Sequence, residues 1–155
     1  MQFSKWLGWG IILILSLGGC VSVNTNHLLP TGTTIEVIDV SSEIKSTDNY
    51  VKVTIDSEKM RQRLMTLIIE GLQKNNIAVA AISTPGSAKL KYKIRYVDVK
   101  KKGYEIGFNA TLETPDGKIL FSDDDEKDGD EIENILEDIA KRVVNVSAGC
   151  FKITY

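Results

Sequence analysis

The chain contains one histidine, two cysteines and three prolines in 155 residues. His27 has no cysteine or second histidine near it, so there is no metal-ligand spacing and no histidine left for general-base chemistry. Cys20 and Cys150 stand at opposite ends of the chain and do not form a disulfide framework. Neither sign of charge dominates. A formal net charge of -2 speaks against a nucleic-acid binder, which carries a large positive excess. No glycine-rich phosphate loop and no Ser-His-Asp or Cys-His set can be assembled, so no catalytic residue is assigned and the expectation is a protein that is not an enzyme. At 43% apolar and 26% charged, the composition is that of one globular domain.

Charge is also missing locally. Trp6 to Val23 is a run of 18 uncharged residues behind Lys5 and the chain amine, the positive and apolar regions of an export signal. Its length is at the lower edge for crossing a bilayer of about 30 Å. The end of the run decides between signal and anchor: Leu17-Gly18-Gly19-Cys20 resembles the lipobox of bacterial lipoproteins. That resemblance implies cleavage before Cys20, a diacylglycerol and an N-acyl lipid on Cys20, and no other cofactor. The residues then divide into a signal peptide (1–19), a lipidated tether (20–34) and a single periplasmic domain (35–155). Val21, in place of aspartate, favours the outer membrane with the domain facing the periplasm, and retention at the inner membrane is the alternative.

The mature part alternates between periods of two and 3.6 residues. Thr33 to Val40 and Val51 to Ile55 read as strands joined by the polar loop Ser41 to Asn49, an antiparallel pair in the simplest arrangement. Met60, Leu64, Leu67, Ile68 and Leu72 form a helical stripe after a cap at Asp56 or Ser57, and Asn75-Asn76 stops it. Ile77 to Ile82 reads as a short strand. Leu90, Tyr92, Ile94 and Tyr96 alternate with Lys89, Lys91, Lys93 and Arg95; Tyr104 to Leu112 continues the alternation after a turn. Thr114-Pro115-Asp116-Gly117 predicts a tight turn into a third strand, Lys118 to Phe121. Asp130 and Glu133 have capping-box spacing ahead of Ile132, Ile135, Leu136, Ile139, Val143 and Val146. The expected fold is α+β, a two-layer sandwich with both amphipathic helices on one face of a mostly antiparallel sheet.

Two charged stretches are the candidates for contact with other molecules. Residues 88–102 carry six lysines and Arg95 against Asp98, about +6, while residues 113–138 carry twelve acids against two lysines, about -10. Lys89, Lys91, Lys93 and Arg95 are therefore a candidate partner-binding face, weighed against a row that keeps a strand soluble. Asp124 to Asp130 resembles half of a calcium loop, but the register puts Ile135 where the bidentate glutamate belongs, so no metal ligand is assigned and a solvated acidic loop is expected. Glu105 and Glu113 are expected to face solvent, and Cys150, near Phe151 and Ile153, to be buried.

The order of elements behind the lipobox looks like the small two-layer periplasmic lipoproteins of Gram-negative envelopes, including uncharacterised families and auxiliary lipoproteins of ABC-type and lipid-asymmetry transport systems. The likeness is carried by Leu64 to Ile77, Ala88 to Val99, Thr114 to Leu120 and Ile139 to Val144. It implies an accessory or scaffold subunit that docks another envelope protein, with a lipid- or small-ligand-binding module as the alternative.

Overall fold

The fold is given by a computed structural model, which describes residues 19–24, 27–41, 45–46, 57–81 and 83–152. Residues 1–18, with Leu17 and Gly18, lie outside that set, as does the expected strand Val51 to Ile55. The alternating segments become β4 (Ala88–Val99), β5 (Tyr104–Glu113) and β6 (Ile119–Gly129), an antiparallel meander. Two further strands extend it: β1 (Gly19–Val23) pairs antiparallel with β6, and β2 (Ile35–Asp39) pairs parallel with β4. The order across the sheet is β1-β6-β5-β4-β2, and the short β3 (Lys45–Ser46) pairs parallel with β4 beyond β2.

Helices α1 (Ser57–Lys74) and α2 (Ile132–Ala148) complete the expected α+β two-layer sandwich, with α1 packed on β2 and α2 on β5 and β6. The stripe Met60, Leu64, Ile68 and Leu72 of α1 and the stripe Ile135, Leu136, Ile139 and Val143 of α2 are buried against Leu90, Ile94, Phe108 and Leu112. Removing each such side chain from water is worth about 1.5–3 kcal/mol. α1 ends where the asparagines predict: Asn76 takes the left-handed conformation at φ 57°, and Ile77 N–H donates to Leu72 O at 3.0 Å.

β2 runs parallel to β4, for which α1 provides the long crossover that a parallel pair needs, while the antiparallel partner expected for it, Val51 to Ile55, lies outside the described residues. Four expectations are corrected. The stretch 20–34 is not a free tether: β1 lies on the sheet edge, and Leu29, 1% exposed, is tied to the chain's end by Leu29 N–H to Cys150 O (2.8 Å) and Lys152 N–H to Leu29 O (2.9 Å). The acidic stretch is no loop, since β6 continues to Gly129 in register with Tyr104. Tyr96 leaves the apolar row because the register with β5 shifts between Ile94 and Tyr96, so that Val97 takes the next buried position. Glu131, not Asp130, precedes α2 and makes no side-chain cap; Glu133 is drawn instead to Arg63 of α1, at 2.6 Å.

Gly103 closes the β4–β5 turn at φ 84°, where a Cβ would stand 2.2 Å from Gly129 O. Gly103→Ala is expected to lower stability by about 1–3 kcal/mol, read as a fall in the denaturant midpoint with unchanged slope.

Candidate functional site

Both helices cover one face of the sheet and leave the other to solvent, and the charged strands meet on that open face. Lys89, Lys91, Lys93 and Arg95 alternate with the buried residues of β4 and so stand on it together, as expected. Across β5, the alternation of β6 brings Asp124, Glu126 and Asp128 to the same face. Asn109 and Thr111 lie between the two rows.

The rows partly neutralise each other. Lys91 Nζ contacts both oxygens of Glu113 at 2.8 Å, and Arg95 Nη2 pairs with Asp124 Oδ1 at 2.8 Å while donating to the Asp125 carbonyl at 3.2 Å. The Tyr96 ring lies across Gly107, where a Cβ would meet it at 2.3 Å, and the Arg95 guanidinium stands 5.5 Å from the ring centre. Tyr96 donates to Glu126 at 2.7 Å and lies 3.3 Å from Glu105. Burial first, then the hydrogen bond to Glu126, pushes its pKa above the usual tyrosine range. Glu105 and Glu113 thus face away from the helices as expected but are held in pairs, Glu105 also by Lys100 at 3.3 Å. Of the predicted basic face, Lys89 and Lys93 keep the freest charge among the described residues.

On the helix side β6 carries a second charged group, which inspection of the sequence alone missed. Asp123 and Asp125 are buried, and Arg142 of α2 reaches between them. Arg142 Nε donates to Asp123 Oδ2 at 2.7 Å and Nη2 to Asp123 Oδ1 at 2.8 Å, a bidentate pair. Nη1 lies 2.5 Å from Asp125 Oδ2, with Lys127 Nζ 3.4 Å from the same oxygen, although neither contact has hydrogen-bond alignment. The attraction at Asp125 is therefore coulombic and unaided. Burial works against the charge of Arg142, but the hydrogen bond to Asp123 and the charges of Asp123 and Asp125 outweigh it and raise its pKa. The signal was present in the spacing: Asp123 and Asp125 continue the inward period of Phe121, and Arg142 falls on the stripe of Ile135 and Ile139.

Because the carboxylates of a strand alternate between faces, Asp124 to Asp130 cannot converge on one ion. Among the described residues no group of His, Cys, Asp and Glu has metal-holding geometry, and no helix is long and apolar enough to cross a membrane. The space between helices and sheet, where the alternative reading would seat an acyl chain, is filled by Ile68, Leu90, Phe108 and Leu112, each under 2% exposed. A cleft of about 400 Å³ lies instead at the surface, where His27 and Pro30 face Thr114, Asp116 and Lys118. Cys150 is buried, as expected, and burial pushes its thiol up to about 11. Cys20 occupies β1 opposite Asp124.

These elements define the class: a two-layer α+β domain with one open, charge-divided sheet face. No protein-family model and no curated protein sequence matches the chain. Among solved structures it is similar to a PelC variant from Paraburkholderia phytofirmans, a dodecamer crystallised in space group C2. The TM-score is 0.57 at 11% identity, covering 84% of this chain and 97% of that one. A second PelC dodecamer from the same organism, in space group P6, gives a TM-score of 0.50 at 14% identity over 87% and 99% of the two chains. At this identity the likeness is one of fold.

Removing the charge of Arg142 leaves two buried carboxylates facing each other. Arg142→Met is expected to cost about 3–5 kcal/mol in urea unfolding, much of it regained when Asp123→Leu and Asp125→Leu are added. The Cys150 thiol, raised from 9.0 to about 11, stays protonated in the folded chain where the unfolded chain has lost its proton. Its contribution is complete below pH 9 and is lost as pH rises to 11, so the urea midpoint should fall across that window.

Proposed function

We propose that the chain is a lipid-anchored accessory protein of the Gram-negative outer membrane, attached through Cys20 with its domain in the periplasm, and that it works as a homo-oligomer docking another envelope protein. One observation carries the reading: the lipobox-like Leu17-Gly18-Gly19-Cys20 leads into a domain whose fold is shared, over most of both chains, with proteins that assemble as dodecamers. A head-to-tail ring requires two different surfaces on one subunit. This domain supplies them, since the basic row of β4 and the acidic row of β6 lie on opposite sides of β5. The reading assigns no catalysis. Among the described residues, Glu113, Asp124, Glu105 and Glu126 of the open face are engaged by Lys91, Arg95, Lys100 and Tyr96.

Light scattering on detergent-purified protein should give a mass several times that of one mature chain, and a monomer at micromolar concentration would end the oligomer reading. Lys89→Glu with Lys93→Glu should shift the assembly toward monomer by about tenfold in apparent affinity without changing the unfolding midpoint. Cys20→Ser should abolish palmitate labelling.

A further inference from the structure

The residue expected to carry the lipid is not ahead of the folded domain but within its sheet. Cys20 pairs with Asp124 and Gly19 with Asp125. We propose that β1 is a switch strand, paired with β6 in the unacylated chain and released from the sheet as the membrane leash once Cys20 carries its lipid; this rests on the lipoprotein reading above.

Three features of the edge point the same way. Cleavage before Cys20 removes Gly19 and leaves β1 with the four residues Cys20 to Val23. The lipid chains, on the sulfur and the α-nitrogen of Cys20, would then leave the protein within a few bonds of the β6 backbone. For them to enter a bilayer with β1 still paired, the bilayer surface must come up against β6, which runs four residues past Asp125, about 13 Å further. That stretch and the turn beyond it carry Glu126, Asp128, Asp130 and Glu131, with Lys127 turned to Asp125 on the helix side. An anionic headgroup layer repels such a surface.

Releasing β1 removes both conflicts and disturbs little. Val21 and Val23 are only half-buried, and Asn24 N–H to Leu120 O, at 2.7 Å, is the next tie along the chain. Unzipping stops at Leu29, which is fully buried and bonded on both sides to the segment 150–152. Residues 20–28 then form a leash of about 30 Å at full extension. Cys20 to Val23 are thus a strand before lipidation and part of a tether after it.

Ser22 and Ser122 stand directly opposite in the register, and a cysteine pair placed there reports whether β1 is docked. In the Cys20→Ser chain, Ser22→Cys with Ser122→Cys should form a disulfide readily under mild oxidation. In the acylated chain, reconstituted in vesicles of phosphatidylethanolamine and phosphatidylglycerol, the same pair should oxidise more slowly by about tenfold or more. Hydrogen exchange on the chain without added cysteines gives an independent reading: the amides of β1 and β6 that bond across their shared edge should lose protection on acylation, while the alternate β6 amides that face β5, and those of β4 and β5, keep it. Equal crosslinking and equal protection in the two forms would overturn the switch. The mass of the peptide that begins at Cys20 separates the two failures. With lipid present and β1 still docked, the switch alone is wrong; with no lipid, the lipoprotein reading falls and the switch with it.

Discussion

Arg142 reaching between Asp123 and Asp125 is the contact on which the arrangement of the two layers depends. α2 meets the sheet through an apolar stripe that tolerates rotation and sliding, because hydrophobic contact has no direction. The guanidinium does not tolerate either, since its fork must meet two carboxylates at fixed spacing along β6. Such a triad gains little over well-packed apolar residues, because the cost of desolvating three charges offsets most of their attraction. What it contributes is registry. The helix is held at one height on β6, and through the Arg63–Glu133 pair α1 is referred to the same height.

That registry has consequences on the other side of the sheet. β6 turns Asp123 and Asp125 inward, so its alternation must turn Asp124, Glu126 and Asp128 outward, where Asp124 lies across β5 from Lys93 and Glu126 across from Tyr96. The division of charge on the open face is thus the reverse side of the buried clamp. The Arg95–Asp124 and Tyr96–Glu126 contacts bridge the two rows across β5. The interior beneath that face is filled by packed apolar side chains.

Most of the layer structure was legible from periodicity. The stripes of α1 and α2, the alternation in β4 and β5, the asparagine stop after Lys74 and the turn at Thr114 to Gly117 all appear where local chemistry puts them. The failures share a cause. β6 was read as ending at Phe121 because its second half is charged on both faces, and charge is a solvent signal until a partner such as Arg142 is known. Tyr96 was misplaced because a bulge shifts the period without marking the sequence. The segment 20–34 looked like a linker because neither β1 nor Leu29 has a periodic neighbour; their partners lie about a hundred residues away or more in the chain.

The amino-acid sequence by itself determined the elements that arise from near neighbours: two amphipathic helices, a meander and their order. Only the tertiary structure decided that β2 runs parallel to β4, that β1 joins the edge of β6 and Leu29 bonds to the segment 150–152, and that the acids of β6 divide between a buried clamp and an open face. The physical reason is the same in each case. A helix or a turn is set by residues three or four positions apart, whereas the sign and place of a buried charge depend on what the far end of the chain brings to it.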